Sequence, residues 1–281
     1  MESPFPCRSE RNTDPLQVAI VIPARYASSR FPGKPLTPLK GATGLGKSLV
    51  HRTWETASRV KGADLIVVAT DDQRIVDEVQ SFGGETLITS SNCKNGTERC
   101  AEVLLKLDEQ YDLVINVQGD APLSPPEFIE SLIEALTGSG HPQVVTPVLR
   151  CDGEILSRFQ RDREKGRVGA TTVVFGQGGN ALYFSKEIIP WCDRQYPAEE
   201  LTPVFHHVGI YGYTREALKW YAGSESGRLE MQEGLEQLRF IEGGIPITCV
   251  EVEAHGRNFW ELNNPSDIKY LEQELKSLNI E

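Results

Sequence analysis

The stretch VAIVIPARYASSRFPGKP, residues 18–35, decides the interpretation of the fold. Its first part, Val18–Ile22, is apolar and β-branched, and a run of about five such residues is typical of a buried strand. The loop that follows carries Arg25, Arg30 and Lys34 among small residues, Pro and Gly. A cationic, glycine-containing loop at the carboxyl end of a strand favours a polyphosphate, because backbone N–H groups and fixed charges converge there without steric obstruction. The alternative is a solvated basic loop.

Composition excludes several classes of protein. The 281 residues are 39% hydrophobic, which allows a sizeable core. We expect a frayed extension over residues 1–17 and one domain over residues 18–281. No run approaches the roughly 18 apolar residues of a membrane helix, and no secretory signal is recognisable, so we expect no membrane insertion.

The net charge limits the kinds of ligand that we expect, and the cysteine content indicates the cellular compartment. The net charge of -11 argues against nucleic-acid binding, yet it allows a small anionic substrate where cations are concentrated. The six cysteines form no C-x-x-C pair, and the five histidines form no H-E-x-x-H pattern. We therefore expect free thiols in the cytoplasm and no zinc site.

The first half of the chain alternates strands with helices. Strands are predicted at 18–22, 64–71, 85–89 and within 112–120, and helices at 48–60, 75–82, 95–107 and 125–136. This order predicts an α/β fold with a mostly parallel, twisted sheet and right-handed crossovers.

The second half has a different pattern. We predict strands at 143–149, 206–213 and 248–252, a β-hairpin over 170–184, and helices at 214–221, 229–240 and 266–278. The polar segment 154–169 and the hairpin belong to an excursion over about 150–200, which we expect to act as a substrate lid or a dimer arm. Glu236 and Gln237 are predicted on a different face of their helix from Leu235 and Leu238.

Three positions suggest chemistry by their place alone. Asp120 follows Gln118 and Gly119 at the end of an apolar strand, where a carboxylate can hold a hard divalent cation against phosphate oxygens. The alternative is a helix-capping Asp. The pair Gly96-Thr97 at a helix N-terminus suits an anion or a base edge, unless Thr97 is only the N-cap. His206 or His207 could be a base, but we favour a positioning hydrogen bond.

Residues 41–48, GATGLGKS, match the Walker A pattern G-x-x-x-x-G-K-S. A true P-loop follows a buried strand, whereas Lys34–Lys40 contains two prolines and two lysines. We therefore interpret the match as a surface loop that caps the next helix.

A set of motifs then points to one family. It comprises Ile22–Arg25, Ser29–Pro35, Val68–Asp71, Gly96–Arg99, Asn116–Asp120, Ala181–Ser185, His207–Tyr211 and Leu235–Arg239. Together these motifs resemble the CMP-Kdo synthetases, which are 3-deoxy-manno-octulosonate cytidylyltransferases. The resemblance extends from Val18 to Leu278.

The resemblance implies a nucleotide-diphospho-sugar transferase-like fold and a reaction of CTP with Kdo, a 3-deoxy-octulosonate sugar acid, that gives CMP-Kdo and pyrophosphate. It also implies Mg²⁺ as cofactor, a homodimer and a place in lipopolysaccharide biosynthesis. The implied nucleotide-binding residues are Ala24, Arg25, Arg30, Lys34, Thr70, Asp71, Gly96, Thr97 and Arg99. The implied sugar-binding residues are Gln118, His207, Tyr211, Glu236 and Gln237. Arg25, Lys34 and Asp120 are the implied catalytic residues, with Asp120 also a magnesium ligand.

Two departures from the family pattern concern the metal site. Ala121 stands where the family has Glu, and Asn263 stands where the family has a second metal-binding Asp. Asn is a neutral oxygen ligand, and Glu261 could face the same side and restore the charge. Two alternatives follow, namely a nucleotidyltransferase of the same fold for another small acidic acceptor, and a non-catalytic homologue that binds CTP.

Overall fold

The structure, a computed structural model, describes residues 16–27, 31–107, 109–120, 122–167, 170–254, 262 and 264–281. These residues form a ten-stranded sheet with apolar clusters on both faces, and a separate two-stranded hairpin. No helix in the described ranges has the length and apolar character that crossing a membrane requires.

The described strands are β1 (Gln17–Pro23), β2 (Pro38–Lys40), β3 (Gly46–Ser48), β4 (Leu65–Thr70), β5 (Glu85–Ile88), β6 (Tyr111–Val117), β7 (Val144–Asp152), β8 (Thr172–Phe175), β9 (Ala181–Ser185), β10 (Leu201–His207), β11 (Ile210–Thr214) and β12 (Ile247–Glu251). The described α-helices are α1 (Leu49–Ala57), α2 (Gln73–Ser81), α3 (Gly96–Lys106), α4 (Pro126–Thr137), α5 (Gly153–Glu164), α6 (Arg215–Ala222), α7 (Arg228–Glu233), α8 (Leu238–Glu242) and α9 (Ile268–Ser277). Short 3₁₀ turns cover Lys34–Leu36 and Pro265–Asp267.

Strand β1 lies at the centre of a parallel unit of β5, β4, β1 and β6. Ile20 is fully buried and pairs with Ile66 of β4 on one side and Ile115 of β6 on the other. Helices cover both faces of such a strand, and this explains why its sequence is continuously apolar rather than alternating. The predicted α/β class and the parallel sheet of the first half are confirmed.

The remaining strands extend this unit mainly by antiparallel pairing. Strand β11 pairs with β6, β7 pairs with β11 and β10, and β8 and β9 complete the edge, while β12 runs parallel to β7. The hairpin predicted over 170–184 is confirmed as β8 and β9, in which Thr172 pairs with Ser185. The role of residues 150–200 as a lid or a dimer arm stays a prediction.

The single strand predicted over 206–213 is wrong. Residues 206–207 end β10 and residues 210–213 belong to β11, and both strands are antiparallel to β7. His207 pairs with Val148 and Gly212 with Val145, so five residues of the chain span three residues of β7, and the strand is interrupted at Val208 and Gly209.

Two helix predictions also need correction. The helix predicted over 229–240 is divided into α7 and α8, because Gly234 adopts a left-handed conformation (φ 62°) that ends α7. The polar segment 154–169 was not predicted as a helix, yet it forms α5. There Leu156 and Phe159 pack in a small apolar cluster with Cys151 and Val204.

The interpretation of residues 41–48 as a loop rather than a P-loop is confirmed. Strand β3 pairs antiparallel with β2 and lies outside the main sheet. Ser48 caps α1 by accepting a hydrogen bond from the N–H of His51 at 3.3 Å. Lys47 is 2.6 Å from Glu55, so its ammonium group is already paired.

Candidate functional site

Two adjoining cavities lie beyond the carboxyl ends of β1 and β6. The strand-end cavity, of about 400 Å³, is lined by the ends of these strands, the loop to Pro35 and the start of α3. The wide cavity, of about 680 Å³, is lined by the segment that follows β6, by β10 and β11, and by the α7–α8 turn. The residues that line both are Lys94, Asn95, Gln118, Asp120, Gly234 and Glu236, and we call them the shared wall.

The strand-end cavity contains most of the predicted phosphate-binding groups. Ala24, Arg25 and Lys34 line it, and Arg25 is exposed. The ammonium group of Lys34 is 2.7 Å from Oδ2 of Asp120, which joins the loop after β1 to the loop after β6. A predicted phosphate ligand and the predicted metal ligand are thus in direct contact.

The first turn of α3 closes this cavity. Asn95 is its N-cap and accepts a hydrogen bond from the N–H of Glu98 at 2.8 Å, so the alternative that Thr97 is the N-cap is wrong. A Cβ atom at Gly96 would lie 2.8 Å from Nε2 of Gln118, so a larger residue would displace this amide group. The anion at this helix N-terminus is the carboxylate of Glu236, which accepts a hydrogen bond from the N–H of Gly96.

Three predicted nucleotide-binding residues lie behind the cavity surface. Thr70 is fully buried at the end of β4. Asp71 is 3.7 Å from the guanidinium of Arg99, which is 2% exposed and lines the cavity. The hydroxyl of Thr97 is 3.1 Å from Glu236. Asp71 and Thr97 thus contact Arg99 and Glu236, which do line the cavity.

The wide cavity brings together the five predicted sugar-binding residues, Gln118, His207, Tyr211, Glu236 and Gln237. The first and last of these residues are more than a hundred positions apart in the sequence. Antiparallel pairing of β11 with β6 brings the two regions together, because it places Tyr211 opposite Asn116. The lining combines hydroxyl and amide groups with the charged side chains of Lys94, Lys186, Asp120, Glu230 and Glu236. Such a lining suits a polyhydroxylated ligand.

His207 is held in a neutral form. Its Nε2 is 3.1 Å from the hydroxyl of Thr146, and its ring packs against Phe184 at 5.0 Å and Tyr211 at 5.3 Å. Burial, with the neighbouring His206 as a smaller cause, lowers the pKa of His207 to about 3. A neutral, hydrogen-bonded imidazole agrees with the predicted positioning role.

Glu236 is the second carboxylate of the shared wall. Its Oε2 accepts a hydrogen bond from the N–H of Gly96 at 3.0 Å, and Oε1 accepts one from Thr97. Burial raises the pKa of Glu236 to about 7, although these hydrogen bonds oppose the shift. The carboxyl group therefore changes charge near neutral pH.

Buried ion pairs hold the turn that carries Glu236 and Gln237. The guanidinium of Arg239 in α8 donates two hydrogen bonds to Glu230 of α7, at 2.7 and 2.8 Å, and one to Glu98 of α3 at 3.1 Å. Glu233 of α7 accepts hydrogen bonds from the hydroxyl of Ser185 at 2.8 Å and the N–H of Lys186 at 3.0 Å. One wall of the wide cavity is thereby tied to α3 and β9.

Sequence reasoning missed several lining residues. Lys94 and Asn95 line both cavities, and they stand directly before the quoted Gly96–Arg99 motif. Lys186 lines the wide cavity and directly follows the quoted Ala181–Ser185 motif. Extending each motif by one or two residues would have found all three.

Some predicted residues cannot be placed. Arg30, Ala121, Glu261 and Asn263 lie outside the described residues. Leu262 is described and buried, and its N–H donates to the backbone carbonyl of Asp120 at 2.9 Å. The described part of the chain contains no cluster of three His, Cys, Asp or Glu residues that could hold a metal ion.

Comparison with known proteins agrees with this geometry. Residues 19–247 match the family model described as "Cytidylyltransferase". A 3-deoxy-manno-octulosonate cytidylyltransferase of Maricaulis maris is 43% identical over 90% of this chain and 94% of its own. The enzyme of the same name from Zea mays is 38% identical over 93% of this chain and 82% of its own.

Solved structures show the same fold. A CMP:2-keto-3-deoxy-manno-octonic acid synthetase complexed with CTP superimposes with a TM-score of 0.78 at 32% identity, covering 93% of this chain and 99% of the other. A 4-diphosphocytidyl-2C-methyl-D-erythritol synthase of Anaerococcus prevotii, at 17% identity and a TM-score of 0.57, shares the fold alone. The nucleotidyltransferase-like fold is thus confirmed, and the chain belongs to the cytidylyltransferase family, among its 3-deoxy-manno-octulosonate cytidylyltransferases.

Proposed function

We propose that the chain transfers CMP from CTP to the anomeric hydroxyl of Kdo, or of a close 3-deoxy-octulosonate analogue, and releases pyrophosphate. The observation that carries the proposal is the meeting of the two cavities at a shared wall that contains Gln118, Asp120 and Glu236. A transfer between two bound substrates needs two compartments that join where the atoms react.

The strand-end cavity suits the nucleotide. Arg25 and Lys34 supply positive charge at the carboxyl end of β1, which favours a triphosphate. The relatives named above carry the cytidylyl group in their names, and one was solved with CTP.

The wide cavity suits the sugar acid. Gln118, His207 and Tyr211 offer hydrogen-bonding groups to hydroxyls. Gln237 is 2% exposed, and its Nε2 has no hydrogen-bond partner among the described residues. A buried donor without a partner is costly, so a ligand oxygen in this cavity would satisfy it.

The reaction needs positioning and charge neutralisation more than a dedicated base. The anomeric oxygen attacks the α-phosphorus in line, the bond from the α-phosphorus to the bridging oxygen breaks, and pyrophosphate leaves as the hydroxyl proton is lost. Arg25 and Lys34 stabilise the charge on the phosphate oxygens, while the wide cavity orients the hydroxyl.

We propose Mg²⁺ as the cofactor, with Asp120 as its ligand in the described part of the chain. Lys34 contacts Oδ2 of Asp120, and among the described residues no side chain contacts Oδ1, which could therefore bind a cation. Mg²⁺ is commonly held by one or two carboxylates together with substrate phosphates, so this donor set fits. When bound, the ion would neutralise phosphate charge and lower the pKa of a coordinated hydroxyl. Asn263 and Glu261 stay proposals for a second ligand.

We also propose a homodimer and a cytoplasmic location. Strand β9 is the edge of the sheet, and its Leu182 is 64% exposed, which supports the hairpin as a dimer arm. The five described cysteines are free, which supports a reducing compartment. Light scattering on the purified chain tests the dimer. The place in lipopolysaccharide biosynthesis stays a prediction.

The test is an assay of pyrophosphate release with a panel of nucleotides and acceptors, with Mg²⁺ or with a chelator. We expect release only with CTP, Kdo or a close analogue, and Mg²⁺ together. Activity with a different small acid would change the acceptor but not the reaction class. CTP binding without turnover on any acceptor would instead identify a non-catalytic homologue.

A further inference from the structure

Lys94 stands at the junction of the two cavities, and the proposed function above assigns it no role. It precedes the N-cap of α3 by one residue. Among the described residues of the shared wall it is the one cation, whereas Asp120 and Glu236 are carboxylates. Asp120 is already paired with Lys34, so Lys94 is the cation of this wall that can meet a ligand.

The backbone of Lys94 is fixed, while its ammonium group has no partner in the described part of the chain. Its N–H donates to Oε2 of Glu98 at 2.8 Å, and the following residue caps α3. By contrast, Lys34 is 2.7 Å from Asp120 and Arg99 is 3.7 Å from Asp71. Lys94 thus offers an uncompensated charge from an ordered main chain.

The chemistry of the two substrates shows what this charge would meet. The proposed function, on which this inference rests, places a triphosphate on one side of the shared wall and a sugar carboxylate on the other. Both substrates are anionic, and the wall carries the carboxyl group of Glu236 beside the Asp120 that Lys34 neutralises, so like charges oppose the approach of the acceptor. A cation that reaches both cavities offsets this repulsion where the substrates meet.

We propose that the ammonium group of Lys94 binds the carboxylate of the acceptor where the acceptor faces the α-phosphate. Lys94 then determines selection for acidic acceptors and supports their turnover, while it contributes little to CTP binding. CTP is held mainly by Arg25 and Lys34, which line the strand-end cavity but not the wide cavity.

The experiment compares three variants of the full chain: Lys94→Met, Lys94→Arg and the control Lys219→Met. Lys219 is exposed on α6 and does not line either cavity, and its replacement by Met removes the same charge. Pyrophosphate release gives kcat and KM for Kdo and for its uncharged carboxamide. Calorimetry gives the CTP affinity without acceptor, and thermal unfolding checks the fold.

We expect Lys94→Met to lower kcat/KM for Kdo by about 10²-fold, as the loss of one preorganised charge at a reacting group does. CTP affinity should change by less than about 3-fold, and Lys94→Arg should recover activity to within about 10-fold of wild type. With the carboxamide, wild type and Lys94→Met should have equal kcat/KM. Lys219→Met should match wild type throughout.

Four results would overturn the assignment. Equal kcat/KM for Lys94→Met and Lys219→Met would show that Lys94 is only a solvated lysine. An equal loss with Kdo and with the carboxamide, or a loss that appears mainly in CTP affinity, would show that it does not bind the acceptor's carboxylate. A wild-type chain that releases no pyrophosphate with any acid would refute the proposed function itself, and the assignment would fail with it.

Discussion

The strand-end cavity and the wide cavity are built in different ways. The strand-end cavity is formed by short segments that each follow a buried parallel strand or begin a helix, such as 23–25, 95–99 and 118–120. The wide cavity is formed by β10, β11 and the α7–α8 turn, which meet only after antiparallel pairing and buried ion pairs have brought them together. Local patterns therefore determine the first cavity, and tertiary contacts determine the second.

This difference has an energetic consequence. The loops of the strand-end cavity are fixed by the most buried strands of the sheet, so single substitutions in these loops should alter chemistry more than stability. The turn of the wide cavity is fixed by Arg239 and Glu233, so substitutions there should alter stability and acceptor binding together. The following predictions test this contrast.

The largest effect is expected where the cavities join. Asp120→Asn removes the carboxylate that contacts Lys34 and faces both cavities. We expect pyrophosphate release to fall on the order of 10³-fold, because charge stabilisation at the reacting phosphate is lost. Thermal unfolding should change little, since Asp120 is partly exposed. Asp193→Asn, at an exposed position, is the control. An unchanged rate for Asp120→Asn would exclude a metal-binding role.

The second prediction concerns a substitution that should disturb the wide cavity but not the strand-end cavity. Arg239→Met leaves the buried carboxylate of Glu230 without its partner, so the free energy of unfolding should fall by about 3–5 kcal/mol. We expect the KM for the acceptor to rise about 10-fold, while CTP affinity stays within about 3-fold. Urea denaturation and calorimetry provide the measurements.

Two further variants control this result. Arg194→Met removes an exposed ion pair with Glu200 and should have little effect. Replacing Glu230 by Leu together with Arg239→Met should recover part of the lost stability, because no buried charge is left unpaired. Equal losses of CTP and acceptor binding in Arg239→Met would contradict the separation of the two cavities.

The third prediction uses the raised pKa of Glu236, about 7 against an ordinary 4.5. Between pH 4.5 and about pH 7 the carboxyl group of Glu236 keeps its proton in the folded chain but loses it in the unfolded chain. The contribution of this group to the free energy of unfolding therefore falls as the pH rises through this window. Glu236→Gln should remove this contribution, and urea denaturation from pH 4.5 to 8 measures it.

The difference between the two proteins is the informative quantity. The lowered pKa values of His206 and His207 have the opposite effect, raising stability as pH rises towards 6.5, but they are common to both proteins. Stability of wild type relative to Glu236→Gln should therefore decline across the window. The exposed Glu199→Gln should follow wild type. A constant difference would mean that the pKa of Glu236 is not raised.

The smallest effect is expected for Lys47→Ala, which touches neither cavity. Lys47 is paired with Glu55 on α1, so CTP affinity and turnover should be unchanged, and the free energy of unfolding should fall by at most about 1 kcal/mol. Lys34→Ala is the contrasting variant, because it lines the strand-end cavity and should weaken CTP binding. Loss of CTP affinity in Lys47→Ala would revive the P-loop interpretation.

The sequence predicted the strand-end cavity well for a physical reason. A buried parallel strand needs a continuous apolar run, and its carboxyl end lies at a known edge of the sheet, so Arg25, Lys34 and Asp120 could be assigned to one edge from local pattern alone. The Walker match could be rejected in the same way, because the residues before it do not form such a strand.

The predictions of the wide cavity failed where the outcome depends on distant partners. The apolar period of residues 229–240 is continuous, yet Gly234 ends α7, and Arg239 then fixes the turn through Glu230 and Glu98. Likewise, residues 206–213 have the composition of one strand, but the pairing register against β7 shifts between His207 and Gly212 and divides them. A one-dimensional pattern contains no information about which neighbour a segment will pair with.

The sequence by itself determined the parallel half of the sheet, the cationic loop after β1 and the carboxylate after β6, because each depends on residues close together in the chain. Only the tertiary structure decided that Lys94 faces both cavities, that the pKa of Glu236 is raised, and that His207 is neutral. These properties arise from burial and charge supplied by elements remote in sequence, and they exist only when the sheet has assembled.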